Sequence, residues 1–114
     1  MAARKRRTVS AELTTSNSDI YTAPARFNSD VYSILISNAS SLDVTVSLDW
    51  YDSANTTYYT ITEAVKLKAN SLIQITEYPV FLQKNDKIRG LASANSSITV
   101  IIAADEYFEE TRFN

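Results

Sequence analysis

The chain has 114 residues, 45% of them hydrophobic and 21% charged, which bounds it to one compact domain able to bury roughly two-thirds of its unfolded surface. It has no cysteine and no histidine, which excludes disulfides, thiolate metal sites, cysteine nucleophiles, the Ser-His-Asp arrangement and the usual zinc ligand. The net charge of −2 is unevenly placed: Arg4, Lys5, Arg6 and Arg7 hold four of the eleven basic residues, leaving seven against thirteen acids, a balance of −6, for the rest.

Residues 1–18, "MAARKRRTVSAELTTSNS", are polar and carry no strand pattern, so they are read as a flexible basic arm that a partner orders. No apolar stretch follows the cations, so the segment is not a secretory signal, and no run nears the roughly 20 apolar residues of a membrane helix. The expectation is a protein made in the cytoplasm with no membrane partner. A nucleic-acid role for "RKRR" needs a basic surface behind it, and the body is acidic. The arm is read either as a solvated tail or as a contact with an acidic neighbouring subunit, the second made through Arg4, Lys5, Arg6 and Arg7 with Val9 and Leu13 buried beside them.

Beyond the arm, alternation with a period of two dominates and helical periodicity is hard to find. A first strand is expected around Ile20 to Ala23. "DVYSILISN" is apolar on both parities, Tyr32, Ile34 and Ile36 against Val31 and Leu35, as in a central strand. "DVTVSLDWY" alternates cleanly, with Val44, Val46, Leu48 and Trp50 on a buried face and Thr45, Ser47, Asp49 and Tyr51 on a wet one. Further strands are expected at Thr57 to Val65, Ser71 to Thr76, Lys87 to Ser93 and Ser97 to Glu106. In the last, Ile98, Val100, Ile102 and Ala104 face one way while Ile101 and Ala103 face the other, so another subunit is expected to cover the second face. Between the strands lie "SNASSLD", "DSANTT", "KAN", "QKND" and "SANSS", turns built on Asn, Asp and Ser in a chain with a single glycine, Gly90. About seven or eight short strands without a crossover helix predict an all-β fold, an antiparallel β-sandwich or small jelly roll over 19–108, followed by an acidic tail, 109–114.

Chemistry is confined to carboxylates, hydroxyls and aromatics. Asp49 and Asp52 flank "WY", but their spacing is unspecific for a glycosidase pair, and Asp52 opens a turn where Asp is a stock residue. Asp49, Asp52 and Asn55 lack the glycine-punctuated acidic loop of a calcium site, so neither metal nor cofactor is expected. The Asn-x-Ser/Thr matches at Asn38, Asn55 and Asn95 are read as turn sequences. Tyr51, Tyr58 and Tyr59 lie either side of "DSANTT"; if this is a hairpin, at least two share an outer face and offer an aromatic patch for a protein or a sugar.

The succession "DIYTAPARFNSDVYSILISNASSLDVTVSLDWYDS" and "KLKANSLIQITEYPVFLQKNDKIRGLASANSSITVIIAADEYFE" resembles a group of small virion structural proteins of tailed bacteriophages over roughly residues 19 to 108. The shared features are a "YTAPA" entry, an "ISN" strand, "VTVSLDWYDS", "KANSLIQI" and "PVFLQKNDKIRGLAS" before a last hydrophobic strand. At the last turn Asn85 stands where the group has glycine, a replacement that suits a left-handed backbone. The resemblance implies a non-enzymatic, particle-bound protein whose partners are other virion proteins and copies of itself. Capsid decoration or cement is the role expected, with a tail, neck or fibre-attachment component as the rival. A carbohydrate-binding sandwich using Tyr51 and Tyr58 is the alternative of a different class.

Overall fold

The computed structural model describes residues 4–75 and 80–108. Within them the chain forms nine strands: β1 (Arg4–Glu12), β2 (Ser18–Thr22), β3 (Phe27–Asn38), β4 (Val44–Asp52), β5 (Thr57–Leu67), β6 (Ser71–Ile75), β7 (Val80–Leu82), β8 (Lys87–Ala92) and β9 (Ile98–Phe108). One sheet has the order β1-β9-β3-β6, with β7 also paired to β3; the other has the order β2-β8-β4-β5. Every pairing is antiparallel. The chain passes from one sheet to the other between β1 and β2, β2 and β3, β3 and β4, β5 and β6, β7 and β8, and β8 and β9. That winding of two sheets face to face is a jelly roll. The expected all-β sandwich is therefore the fold observed.

Its core is the inward parity of both sheets. Ile98, Val100, Ile102 and Ala104 of β9 are fully buried against Val44, Val46 and Leu48 of β4 and Ile88 of β8. Trp50, expected to be buried with the rest of its face, is half-buried: it packs against the rim of the core and stacks on Tyr59 at 5.2 Å. Two bulges explain where simple alternation fails. The register of β3 against β9 slips between Val31 and Ser33, so Tyr32 is extruded and left 41% exposed, and Val31 and Ile34 both point inward. A slip between Asp19 and Tyr21 likewise buries the consecutive Ile20 and Tyr21.

Turns use Asn where glycine would be usual: Asn70 and Asn85 have φ of 55° and 68°. Gly90 is not a turn residue. It faces inward on β8, where an added Cβ would lie 2.6 Å from Leu48 Cδ2 and 3.0 Å from the Ser47 carbonyl oxygen. Its missing side chain lets β8 approach the packed face of β4 and the Ile20 side chain of β2.

The boundary expected at residue 18 is corrected by the structure. Residues 4–12 are not an arm outside the sheet but its strand β1, in unbroken register with β9 from Arg4↔Tyr107 to Glu12↔Thr99. Val9, Ala11 and Leu13 share one parity; Val9 and Ala11 pack on the core, and Leu13 is fully buried. The segment following β1 is tied down as well: Leu13 N–H donates to the Ile98 carbonyl at 2.9 Å, and Ala92 N–H to the Thr14 carbonyl at 2.9 Å. A short apolar stripe diluted by cations and hydroxyls had hidden a strand whose partner lies some 90 residues away in sequence. The expected tail, 109–114, lies outside the described residues.

Candidate functional site

At the basic end of β1 the charges divide by face. Arg7 has the parity of Val9, and its half-exposed guanidinium lies 3.7 Å from the buried Glu106 carboxylate. Arg6 points outward, 86% exposed, with a loose contact of 3.9 Å to Asp105. Lys5 is exposed opposite Glu106, and Arg4 stands opposite Tyr107 in the register. The acidic surface expected of a neighbour is thus also present on this chain's own β9. Val9 and Leu13, expected to be buried against a partner, are buried in their own domain instead.

Glu106 is 2% exposed and organises the open end of the sandwich. The Tyr21 hydroxyl donates to its Oε2 at 2.5 Å and also meets Ser29 Oγ at 2.9 Å, so β1, β2, β3 and β9 converge on one buried polar group. Burial pushes the Tyr21 pKa well up, and hydrogen bonding to the Glu106 carboxylate adds to the rise. The sequence reading missed this cluster. The signal was present, since Glu106 continues the inward parity of Ile98, Val100, Ile102 and Ala104.

The tyrosine patch is only partly assembled. Tyr51 and Tyr58 are cross-strand neighbours on the outer face, ring centroids 4.7 Å apart, whereas Tyr59 lies on the opposite face against Trp50. The Arg89 guanidinium sits 3.4 Å from the Tyr58 centroid and the Lys87 ammonium 5.5 Å from that of Tyr51. Arg89 is held by Asp49 at 3.0 Å and Lys87 by Asp19 at 3.2 Å. A sugar would need the aromatic faces that these cations cover. Asp49 and Asp52 do not act as a pair: Asp49 accepts from Arg89, while Asp52 accepts from Ala54 N–H and Asn55 Nδ2 in its turn. Among the described residues no three carboxylates converge on a point where a metal ion would sit.

Of the glycosylation-like asparagines, Asn38 is 1% exposed and pins the far end of β3, its amide donating to the carbonyls of Leu42, Leu67 and Lys68. Asn95 accepts from Thr15 N–H and Asn55 donates to Asp52. All three serve turns, as the sequence suggested.

A second buried carboxylate, Asp86, is 2% exposed and clamps the end of the β4–β5 hairpin. Its Oδ1 accepts from Ser53 N–H and Ser53 Oγ, both at 2.9 Å, and its Oδ2 from Gln83 N–H at 3.0 Å and Trp50 Nε1 at 3.3 Å. Beside it opens a pocket of about 320 Å³ whose lining includes Trp50, Asp52, Asn55 and Phe81, the last 65% exposed. No sequence motif marked this place, because its walls come from β4, the β4–β5 turn, β7 and the β7–β8 turn.

No protein-family model and no curated protein matches the sequence. Solved structures do match the fold. A structure of infectious bursal disease virus, Gx strain, aligns over 99% of this chain and 34% of its own, with a TM-score of 0.59 at 8% identity. A capsid structure of Helicobacter pylori bacteriophage KHP30 aligns over 99% and 100%, with a TM-score of 0.53 at 8% identity. A protein of the disulfide-linked pili that form Bacillus endospore appendages aligns over 96% and 89%, with a TM-score of 0.54 at 11% identity. At these identities the likeness is one of fold.

Proposed function

We propose that the chain is a non-enzymatic structural component of a bacteriophage virion, built as a capsid decoration or cement protein that binds neighbouring virion subunits and copies of itself. The observation that carries this reading is the strand order itself, β1-β9-β3-β6 over β2-β8-β4-β5, an architecture that capsid subunits and lectins use. The lectin branch is disfavoured by the cations lying over Tyr51 and Tyr58. The fold neighbours support a self-assembling role, as virus capsids and pili are both assemblies. The pili are described as disulfide-linked, and a chain without cysteine has no such cross-link to offer, which favours the capsid side.

The surface suits packing into a shell. The outer face of β3 and β9 carries Leu35, Ile101 and Ala103 half-exposed among Ser and Thr, and on β6 Leu72 is 60% exposed. Such mixed, flat apolar area is what a moderate protein interface buries. The buried carboxylates are engaged structurally, Glu106 by Tyr21 and Arg7 and Asp86 by four donors, which supports a role without catalysis.

The test is a particle map with quantified composition. Purified virions should contain the protein in a fixed ratio to the major shell subunit, with density for the jelly roll on the outer capsid surface. Density at a neck or tail would replace decoration by an attachment role. Absence from washed particles would overturn the virion reading altogether.

A further inference from the structure

We propose that the pocket between the β4–β5 turn and β7 is a receptor for an arginine side chain, supplied by the basic β1 of a second copy of this chain. The pocket combines three features that select a guanidinium. Its lining includes two aromatic side chains, Trp50, which stacks on Tyr59, and the exposed Phe81. Flat aromatic faces attract cations, and a planar guanidinium better than an ammonium.

Its lining carries two carboxylates, Asp52 and Asp86. Among the described residues neither Asp52 nor Asp86 forms an ion pair with a lysine or arginine. Asp86 already accepts four hydrogen bonds, all from neutral donors, so its acceptor sites are filled while its charge remains. A saturated carboxylate has nothing left to give a sugar hydroxyl, yet it still draws in a cation.

Its free acceptors match a fork. Asp52 accepts one bond on each oxygen, from Ala54 N–H at 3.1 Å and Asn55 Nδ2 at 2.8 Å, which leaves one lone-pair site on each. Two parallel acceptors are the complement of the two N–H groups of an arginine.

Charge complementarity names the occupant. Arg4, Lys5, Arg6 and Arg7 are four of the chain's eleven basic residues on a body of balance −6, and Arg6 leaves its side chain 86% exposed after its loose contact with Asp105. That a second copy supplies the arginine rests on the assembly role proposed above; the preference of the pocket for guanidinium does not.

Trp50 is the sole tryptophan of the chain, so its emission reports this pocket. The probe is a synthetic peptide with residues 1–10, MAARKRRTVS, titrated into the full chain at low salt. The expected result is a saturable change in Trp50 emission, weakened about tenfold by Asp52→Asn and by Phe81→Ala, and weakened also when lysine replaces each arginine of the peptide. Phe81 is an exposed side chain, so its variant keeps the fold, which circular dichroism checks. No emission change, equal binding by both variants, or a response to methyl glycosides but not to the peptide would overturn the proposal. Virion composition is measured separately: if the protein is present in particles while the peptide fails to bind, this inference falls and the virion reading stands.

Discussion

Two residues show how much of this fold hangs on single side chains. Tyr21 is buried with its hydroxyl between Glu106 and Ser29, and its pKa is raised above the ordinary value of about 10 by desolvation and by the Glu106 bond. A raised folded-state pKa means that the native state holds the phenol proton after the unfolded state has lost it. The resulting stability is complete below about pH 10 and drains away as pH climbs from there through the folded value. Denaturant unfolding followed against pH should show this alkaline decline in the native protein. Tyr21→Phe should flatten it while lowering stability at neutral pH by about 1–3 kcal/mol, because Glu106 loses a donor in a buried place. Gly90 is the second such residue. Gly90→Ala relieves the chain of roughly 0.5–1 kcal/mol of glycine entropy but drives a methyl into Leu48 and the Ser47 carbonyl. Overpacking at about 1–3 kcal/mol should win, read as a lower urea midpoint with an unchanged slope.

Among the elements, β1 decides most. It covers β9, leads directly into the buried Leu13 and brings Arg7 to Glu106. Removing residues 1–13 would strip one edge of β9, expose its backbone and uncover part of the core, so the truncated chain should melt far below the full one or fail to fold. Leu13→Ala alone should cost about 2–5 kcal/mol. A truncated protein with the same melting temperature would show that β1 adds nothing to its own sandwich. β5, an edge of the other sheet, is protected differently. Glu63 and Ala64 together face Ser47, with Ala64 at φ 50° and its N–H donated to Ser47 Oγ at 2.8 Å. Bulges of this kind twist an edge away from chance pairing, whereas β1 keeps an unbroken register and is guarded by its cations.

The described residues form a two-sheet sandwich with a basic corner on an acidic body. Two forces then compete in self-association, charge between the corner and the acids of a neighbour, and burial of the apolar outer face of β3 and β9. Sedimentation velocity from about 0.05 to about 0.5 M salt separates them, since added salt shortens the reach of exposed charges. The arginine pocket and the exposed Arg6 predict that association weakens as salt rises. Association that strengthens with salt would assign the contact to the sheet face, around Leu35, Ile101 and Leu72.

Local chemistry made most of the strands legible in advance. Period-two alternation marks β4, β8 and β9 because each has one buried face, and the Asn-rich turns are readable because asparagine tolerates a left-handed backbone at Asn70 and Asn85. The turn roles of Asn38, Asn55 and Asn95 are readable on the same ground. What sequence could not supply is pairing between distant segments, which depends on the free energy of the assembled sheets and not on any local preference. Residues 4–12 have a weak pattern of their own and become a strand because β9 offers a partner and the core a place for Leu13. The bulges at Ile20 and Tyr32, the clamp on Asp86 and the single glycine facing Leu48 follow from the same cause. Composition and alternation determined a two-sheet β protein without histidine or cysteine chemistry; only the tertiary structure decided which carboxylates are buried, which tyrosines meet, and that the basic segment belongs to the sandwich.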